Sequence, residues 1–211
     1  MKREAEIREL LISNAIHLIA EGGFEKATTK ELTHCGGSLP NFKMNEVYIY
    51  RIFGSKENLY EAAFVRLDNE LFYAFQNGVT SLGGFNENVK EKLCEFFQMA
   101  WQFILGNEEK CRCYVRYYYS VYFKGTSLEA HRKRFEGMIS EMTPLFKEEA
   151  DVVSILHSVF TTLFDFGIRV YNGQLEDSDI NRPHIFNVLY CMMATYFKDS
   201  VRAPQESEEI K

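Results

Sequence analysis

Asn45-Glu46-Val47-Tyr48-Ile49-Tyr50-Arg51-Ile52-Phe53-Gly54-Ser55-Lys56-Glu57 is the stretch on which the fold turns. Asn45 carries a side-chain oxygen that can accept from the free amides at a helix start, so a short helix is expected from Glu46 to Phe53. Ile49, Ile52 and Phe53 should face inward from it. Ser55 caps a longer helix, whose apolar side holds Leu59, Ala62, Ala63, Leu67 and Leu71. Gly78 and the turn at residues 81–84 close it. Upstream, Thr28-Thr29-Lys30-Glu31 reads as a capping box that opens a helix over 29–35, ended by Gly36-Gly37. Before that, Ile7, Leu11, Ala15 and Leu18 recur at helical spacing from about Arg3 to Glu21. Gly22-Gly23 stops this first helix, because glycine adopts the left-handed terminating conformation at little cost, and Phe24 folds back onto it.

The remainder reads as five further helices near 86–105, 107–124, 127–147, 149–173 and 180–199, making about nine in all. Only 4 prolines in 211 residues, with long helical-period segments, favour an all-α chain over one of many short strands. The tail from Arg202 onward is polar and expected to fray. Net charge is −6, which alone argues against a nucleic-acid partner, but its distribution matters more than its sum. Residues 1–60 balance eight Lys/Arg against eight Asp/Glu, so the acidic excess lies in the rest of the chain. Five cysteines, Cys35, Cys94, Cys111, Cys113 and Cys191, form no paired framework. Charged residues interrupt the N-terminus, and no run of 18 apolar residues occurs, so neither a signal peptide nor a membrane span is expected. The resulting expectation is a reduced, cytoplasmic protein.

Three short helices followed by a long one opened by Phe-Gly-Ser-Lys-Glu resemble the DNA-binding domain of the TetR family. The resemblance rests on Leu11-Ile12, Ala15, Leu18-Ile19, Glu21, Gly23-Phe24, Thr28-Thr29, Leu32, Tyr50, Phe53, Ser55-Lys56-Glu57 and Leu59, about 50 residues in the family's order. Beyond them the chain is similar only in length, helix count and apolar character. One departure is six extra residues, Ser38-Leu39-Pro40-Asn41-Phe42-Lys43, in the turn between the second and third helices. A longer loop is thermodynamically cheap, at roughly 0.6 kcal/mol per doubling. It leaves open whether the two helices keep the family's angle, and whether the insertion adds a contact through Lys43 or is a solvent-facing bulge.

The resemblance implies an N-terminal three-helix helix-turn-helix domain at 1–54 and a helical ligand-binding and dimerisation domain at 55–211, connected by the helix at 55–77. It implies a regulator, a repressor by expectation, that binds palindromic double-stranded operator DNA as a homodimer and is released by a small apolar or aromatic effector. In such a motif the second helix enters the major groove. The expected DNA contacts are Thr28, Thr29, Lys30, Lys43, Asn45, Glu46, Tyr48, Tyr50, Ser55 and Lys56. Glu46 would accept from a cytosine amine, Tyr48 would meet a base edge, and Tyr50 matches the family's phosphate-binding tyrosine. Each has a plainer alternative: capping accounts for Thr28 and Ser55, and core packing for part of Tyr50.

Tyr114, Tyr118 and Tyr122 share one helical stripe, and Trp101, Phe160 and Phe164 add aromatic surface. These six are the candidate effector contacts, with core packing as the alternative. Val152, Leu156, Val159, Val188, Met192 and Tyr196 lie on two helices apolar over a wide arc, the candidate dimer interface or else a monomer core. No cofactor is expected. Cys111-x-Cys113 is too short for a zinc knuckle, leaving a small place for redox or metal sensing. No GxSxG, P-loop, Rossmann glycine run or HExxH occurs, so no enzyme is expected. Two other classes stay open: an adaptor whose head has lost DNA binding, and a helical-bundle carrier or enzyme.

Overall fold

A computed structural model of the chain describes residues 2–34, 44–83 and 88–202. The inserted segment 38–43 lies outside the described residues, and Lys43 and Cys35 with it. Among the described residues the protein is all helical: α1 Lys2–Lys26, α2 Thr29–His34, α3 Val47–Phe53, α4 Lys56–Ser81, α5 Val89–Gly106, α6 Glu108–Tyr118, α7 Thr126–Met142, α8 Val152–Tyr171, α9 Asn181–Ala194 and α10 Asp199–Arg202. A short 3-10 helix, Thr143–Leu145, follows α7. The chain divides into two compact units, Met1–Leu71 with Asn107–Arg132, and Phe72–Gly106 with Lys133–Lys211.

In the first unit, α1 breaks at Gly23, whose φ of 77° lies in the left-handed region. The break turns Phe24 into a cluster with Tyr60, Tyr117 and Tyr122, at ring separations of 5.1, 6.2 and 4.8 Å. Leu11, Ala15, Ile19, Leu32, Ile49, Leu59 and Ala63 are fully buried and form one core. Asn14, buried on α1, donates to the Leu32 carbonyl at 2.9 Å and so fixes α2 against it. Tyr60 donates to the Ala27 carbonyl at 2.6 Å, and burial pushes its phenol well above the usual range. α6 runs along α1, with Arg116 donating at 2.8 Å to the Ile19 carbonyl ahead of the break.

The second unit is built on α5, α8 and α9. Gly167 lets α8 approach α5 closely: a Cβ there would lie 2.5 Å from Ile104 Cγ2. One helical turn later, Tyr171 donates to the Ile104 carbonyl. Phe75 at the end of α4 stacks on Phe160 at 5.4 Å. The turn between α8 and α9 is held by Asp177, which accepts from Trp101 Nε1 at 2.9 Å and from Arg182 Nε and Nη2, each at 2.8 Å.

Three helices end earlier than the periodicity predicts; the segment 127–147 stops at Met142, followed only by a 3-10 turn to Leu145. The segment 107–124 stops at Tyr118, because the Ser120 hydroxyl donates to the Tyr117 carbonyl and accepts from the Tyr122 amide. Tyr122 thereby leaves the stripe of Tyr114 and Tyr118. The segment 180–199 stops at Ala194. Beyond it the Lys147 amide donates to the Tyr196 carbonyl and the Lys198 amide to the Leu145 carbonyl, an antiparallel bridge between Phe146 and Phe197.

Candidate nucleic-acid interface

The surface expected to meet DNA is carried by α2, α3 and the start of α4, and each helix start is capped by its own side chain. Thr28 Oγ1 accepts from the Glu31 amide at 3.2 Å. The return arm of the box differs from expectation, since the Thr28 amide donates to the Lys26 carbonyl at 2.8 Å. Asn45 Oδ1 accepts from the Val47 amide at 3.1 Å. Ser55 Oγ accepts from the Asn58 amide at 3.1 Å, and Asn58 Nδ2 returns to the Phe53 carbonyl at 2.7 Å. Between α3 and α4, Gly54 at φ 79° donates its amide to the Tyr50 carbonyl.

α3 is anchored on one side and open on the other. Ile49 is buried, Ile52 and Phe53 are half-buried, and Arg8 of α1 sits 5.4 Å over the Phe53 ring. Val47 and Tyr50 are 66% and 53% exposed, and Asn45 and Glu46 are exposed beside them. Tyr48 is half-buried, with the Arg51 guanidinium 4.5 Å over its ring. Arg51, absent from the sequence-based site, stands exposed one turn after Val47; that helical spacing is the signal that could have found it. Thr28 and Lys30 are exposed, while Thr29, Ser55 and Lys56 are half-buried. Thr29 Oγ1 donates to Glu46 Oε2 at 2.8 Å, so two of the expected contacts meet each other.

The fold of the chain recurs in solved structures. A TetR family transcription regulator from Marinobacter aquaeolei VT8 superposes with a TM-score of 0.70 at 16% identity, covering 90% of this chain and 97% of that one. The chain has a TetR-like fold. SmeT, the repressor of the Stenotrophomonas maltophilia multidrug efflux pump SmeDEF, shares it with a TM-score of 0.59 at 16% identity over 97% of each chain. The fatty acid degradation regulator FadR from Bacillus halodurans does so with 0.57 at 16% identity, over 86% of this chain and 96% of its own. Neither a protein-family model nor a curated protein matches the sequence.

Within the TetR-like fold the six candidate effector residues fall in two groups. Tyr114, Tyr118 and Tyr122 belong to the first unit, and Trp101, Phe160 and Phe164 to the second. Tyr114 is buried and donates to Asp68 at 3.2 Å; Asp68, fully buried on α4, also lies 2.8 Å from His131 Nδ1 on α7. Tyr118 stacks on Tyr114 at 6.0 Å, with Phe123 at 4.5 Å and His131 at 5.5 Å. Trp101 is buried with its N–H committed to Asp177, Phe164 is buried, and Phe160 is half-buried.

The candidate dimer residues divide by exposure. Val152 and Leu156 are buried in the single chain, Val159 and Met192 are half-buried, and Val188 and Tyr196 are exposed. Val153 adds to the exposed apolar surface of α8, and Ile180 stands exposed just ahead of α9. By length and composition α8 also meets the requirements for crossing a bilayer. Cys111 and Cys113 are buried, and desolvation pushes the Cys113 thiol up to about 12. No cluster of three or more metal-ligating side chains occurs among the described residues.

Proposed function

We propose that this protein is a TetR-type transcriptional regulator: a homodimeric, cytoplasmic repressor of palindromic operator DNA, released by a small apolar or aromatic molecule. The observation that carries the reading is the head itself. Three capped helix starts and an anchored α3 present Lys30, Asn45, Val47, Tyr48, Tyr50, Arg51 and Lys56 from one short stretch of chain. A helix buried on Ile49 and open at Val47 and Tyr50 has the shape that a major groove admits. Thr28 and Ser55 cap their helices, and Lys43 of the inserted segment would supply a further basic group.

In this reading residues 1–54 read DNA and residues 55–211 sense and dimerise. The exposed apolar residues of α8 and α9 fit burial against a second copy, because a face with Val153, Val188 and Tyr196 in water favours association. The same need explains why α8 is apolar enough to pass for a membrane span. A dimer would place two recognition helices about 34–36 Å apart, one turn of DNA. An effector among the aromatic residues of 55–211 would lower DNA affinity only by its preference for a conformation with another spacing.

The test is a polarisation titration against the upstream intergenic duplex, with a scrambled duplex beside it. Specific retention by a dimer, weakening as salt rises, is the expected result. Equal affinity for both duplexes at low and moderate salt would sink the proposal.

A further inference from the structure

The two helices of the reading head are separated by twelve residues, His34 to Val47, where a helix-turn-helix ordinarily uses a turn of three or four. Side-chain contacts join the two helices across that stretch of sequence. α2 is tied to α1 through Asn14, and α3 is anchored to α1 through Ile49 and Phe53. Thr29 and Glu46 then join the starts of α2 and α3 directly, at 2.8 Å across 17 positions of sequence.

Both ends of this bond are stiff. Thr29 opens α2 behind the Thr28 cap. Glu46 already has helical backbone angles (φ −60°, ψ −25°), and its carbonyl accepts from the Ile49 amide behind the Asn45 cap. A bond between two fixed points transmits position rather than merely tethering a side chain. The carboxylate also stands at a surface that would face phosphates, where a negative charge opposes binding that does not depend on base sequence. The hydrogen bond from Thr29 directs the exposed carboxylate toward α2.

We propose that Glu46 and Thr29 are a positioning pair rather than separate DNA contacts. The pair fixes the recognition helix against α2 in place of a short turn, and its charge lowers sequence-independent affinity. The proposal rests on the DNA-reading function above. It departs from the sequence-based reading, in which Glu46 accepts from a cytosine and Thr29 is a DNA contact of its own.

The experiment is a double-mutant cycle with Thr29→Val, Glu46→Ala and the double variant, plus Glu46→Gln, on the full chain. Helical circular dichroism and melting are checked first. The probe is a duplex selected from a random-sequence library by the wild-type protein, against a scrambled duplex. Each single variant is expected to lose about two- to tenfold in discrimination, the range of one such hydrogen bond. The double variant should be no worse than the poorer single one, with the preferred sequence unchanged. Glu46→Gln should raise affinity for the scrambled duplex, while Thr29→Val should not. A changed base preference at one position with Glu46→Ala, and full discrimination with Thr29→Val, would make Glu46 a base reader and overturn the pair. If the wild type selects no sequence, the DNA reading fails. The melting temperatures of the same cycle then decide whether the two residues are coupled, and additive shifts overturn the pair.

Discussion

Single residues at the surface of the head and in the core ask for different experiments. Tyr50 is more than half exposed on a helix whose packing falls to Ile49, so Tyr50→Ala removes little buried surface. Tyr50→Ala and Lys56→Ala should each weaken operator binding about tenfold, the value of a charge-assisted or well-placed polar contact, and leave the dimer intact by light scattering. Loss of the dimer or of helicity would show them to be structural. Cys113 is the opposite case. With its thiol near 12, almost no thiolate exists at neutral pH, and the thiolate is the reactive form. A thiol reagent at pH 7.5 should label exposed Cys191 well before Cys111 or Cys113, as mass spectrometry of timed samples would show. Prompt labelling at Cys113 would revive redox sensing there.

Helices and turns show what holds each unit. α4, α6 and α7 meet at Asp68, a carboxylate wholly withdrawn from water and served by Tyr114 and His131. His131→Ala leaves that carboxylate short of a donor, which costs about 1–3 kcal/mol. The measurement is the urea midpoint, and an unchanged midpoint would mean that water replaces the imidazole. α8 against α5 depends on Gly167. Gly167→Ala drives a methyl against the β-branched Ile104, a stiff neighbour, and should cost about 1–3 kcal/mol. The α8–α9 turn carries a pH dependence. Hydrogen bonding from Arg182, ahead of that from Trp101, holds Asp177 below the usual carboxylate range. Its contribution is therefore full above the unfolded value of about 3.9 and is lost as pH falls through the lower folded value. Asp177→Asn should flatten stability against pH below about 4 in acid melts, and an unchanged slope would contradict the assignment.

For the molecule as a whole, the acidic total and the neutral first 60 residues set what DNA binding can look like. Few phosphates are neutralised, so affinity should be modest and fall with salt at a shallow slope for a dimer. In the proposed reading, the apolar surface of α8 and α9 is the face that a second copy covers. Val153→Glu with Val188→Glu places charge on that surface and should shift sedimentation from dimer to monomer. If operator binding survives in the monomer at equal strength, the two half-sites are not read together.

The sequence by itself determined where the helices of the head begin and what they bury. Capping at Thr28, Asn45 and Ser55 is local chemistry within a few residues, and the spacing of Leu11, Ala15, Leu18 and Ile49 needs no knowledge of partners. Tertiary structure alone decided what lies across the chain. The sixth helix stops short of its periodicity because Ser120 closes a turn on the Tyr117 carbonyl and Tyr122 packs on Phe24 and Tyr60 instead. The ninth stops short because the residues after it pair with a segment some fifty positions earlier. The meeting of Thr29 with Glu46, of Asp68 with His131, and of Trp101 with Asp177 has no local signal either. Periodicity records which face of a helix is apolar. It does not record which polar group on another helix stands opposite, because that depends on how the helices cross.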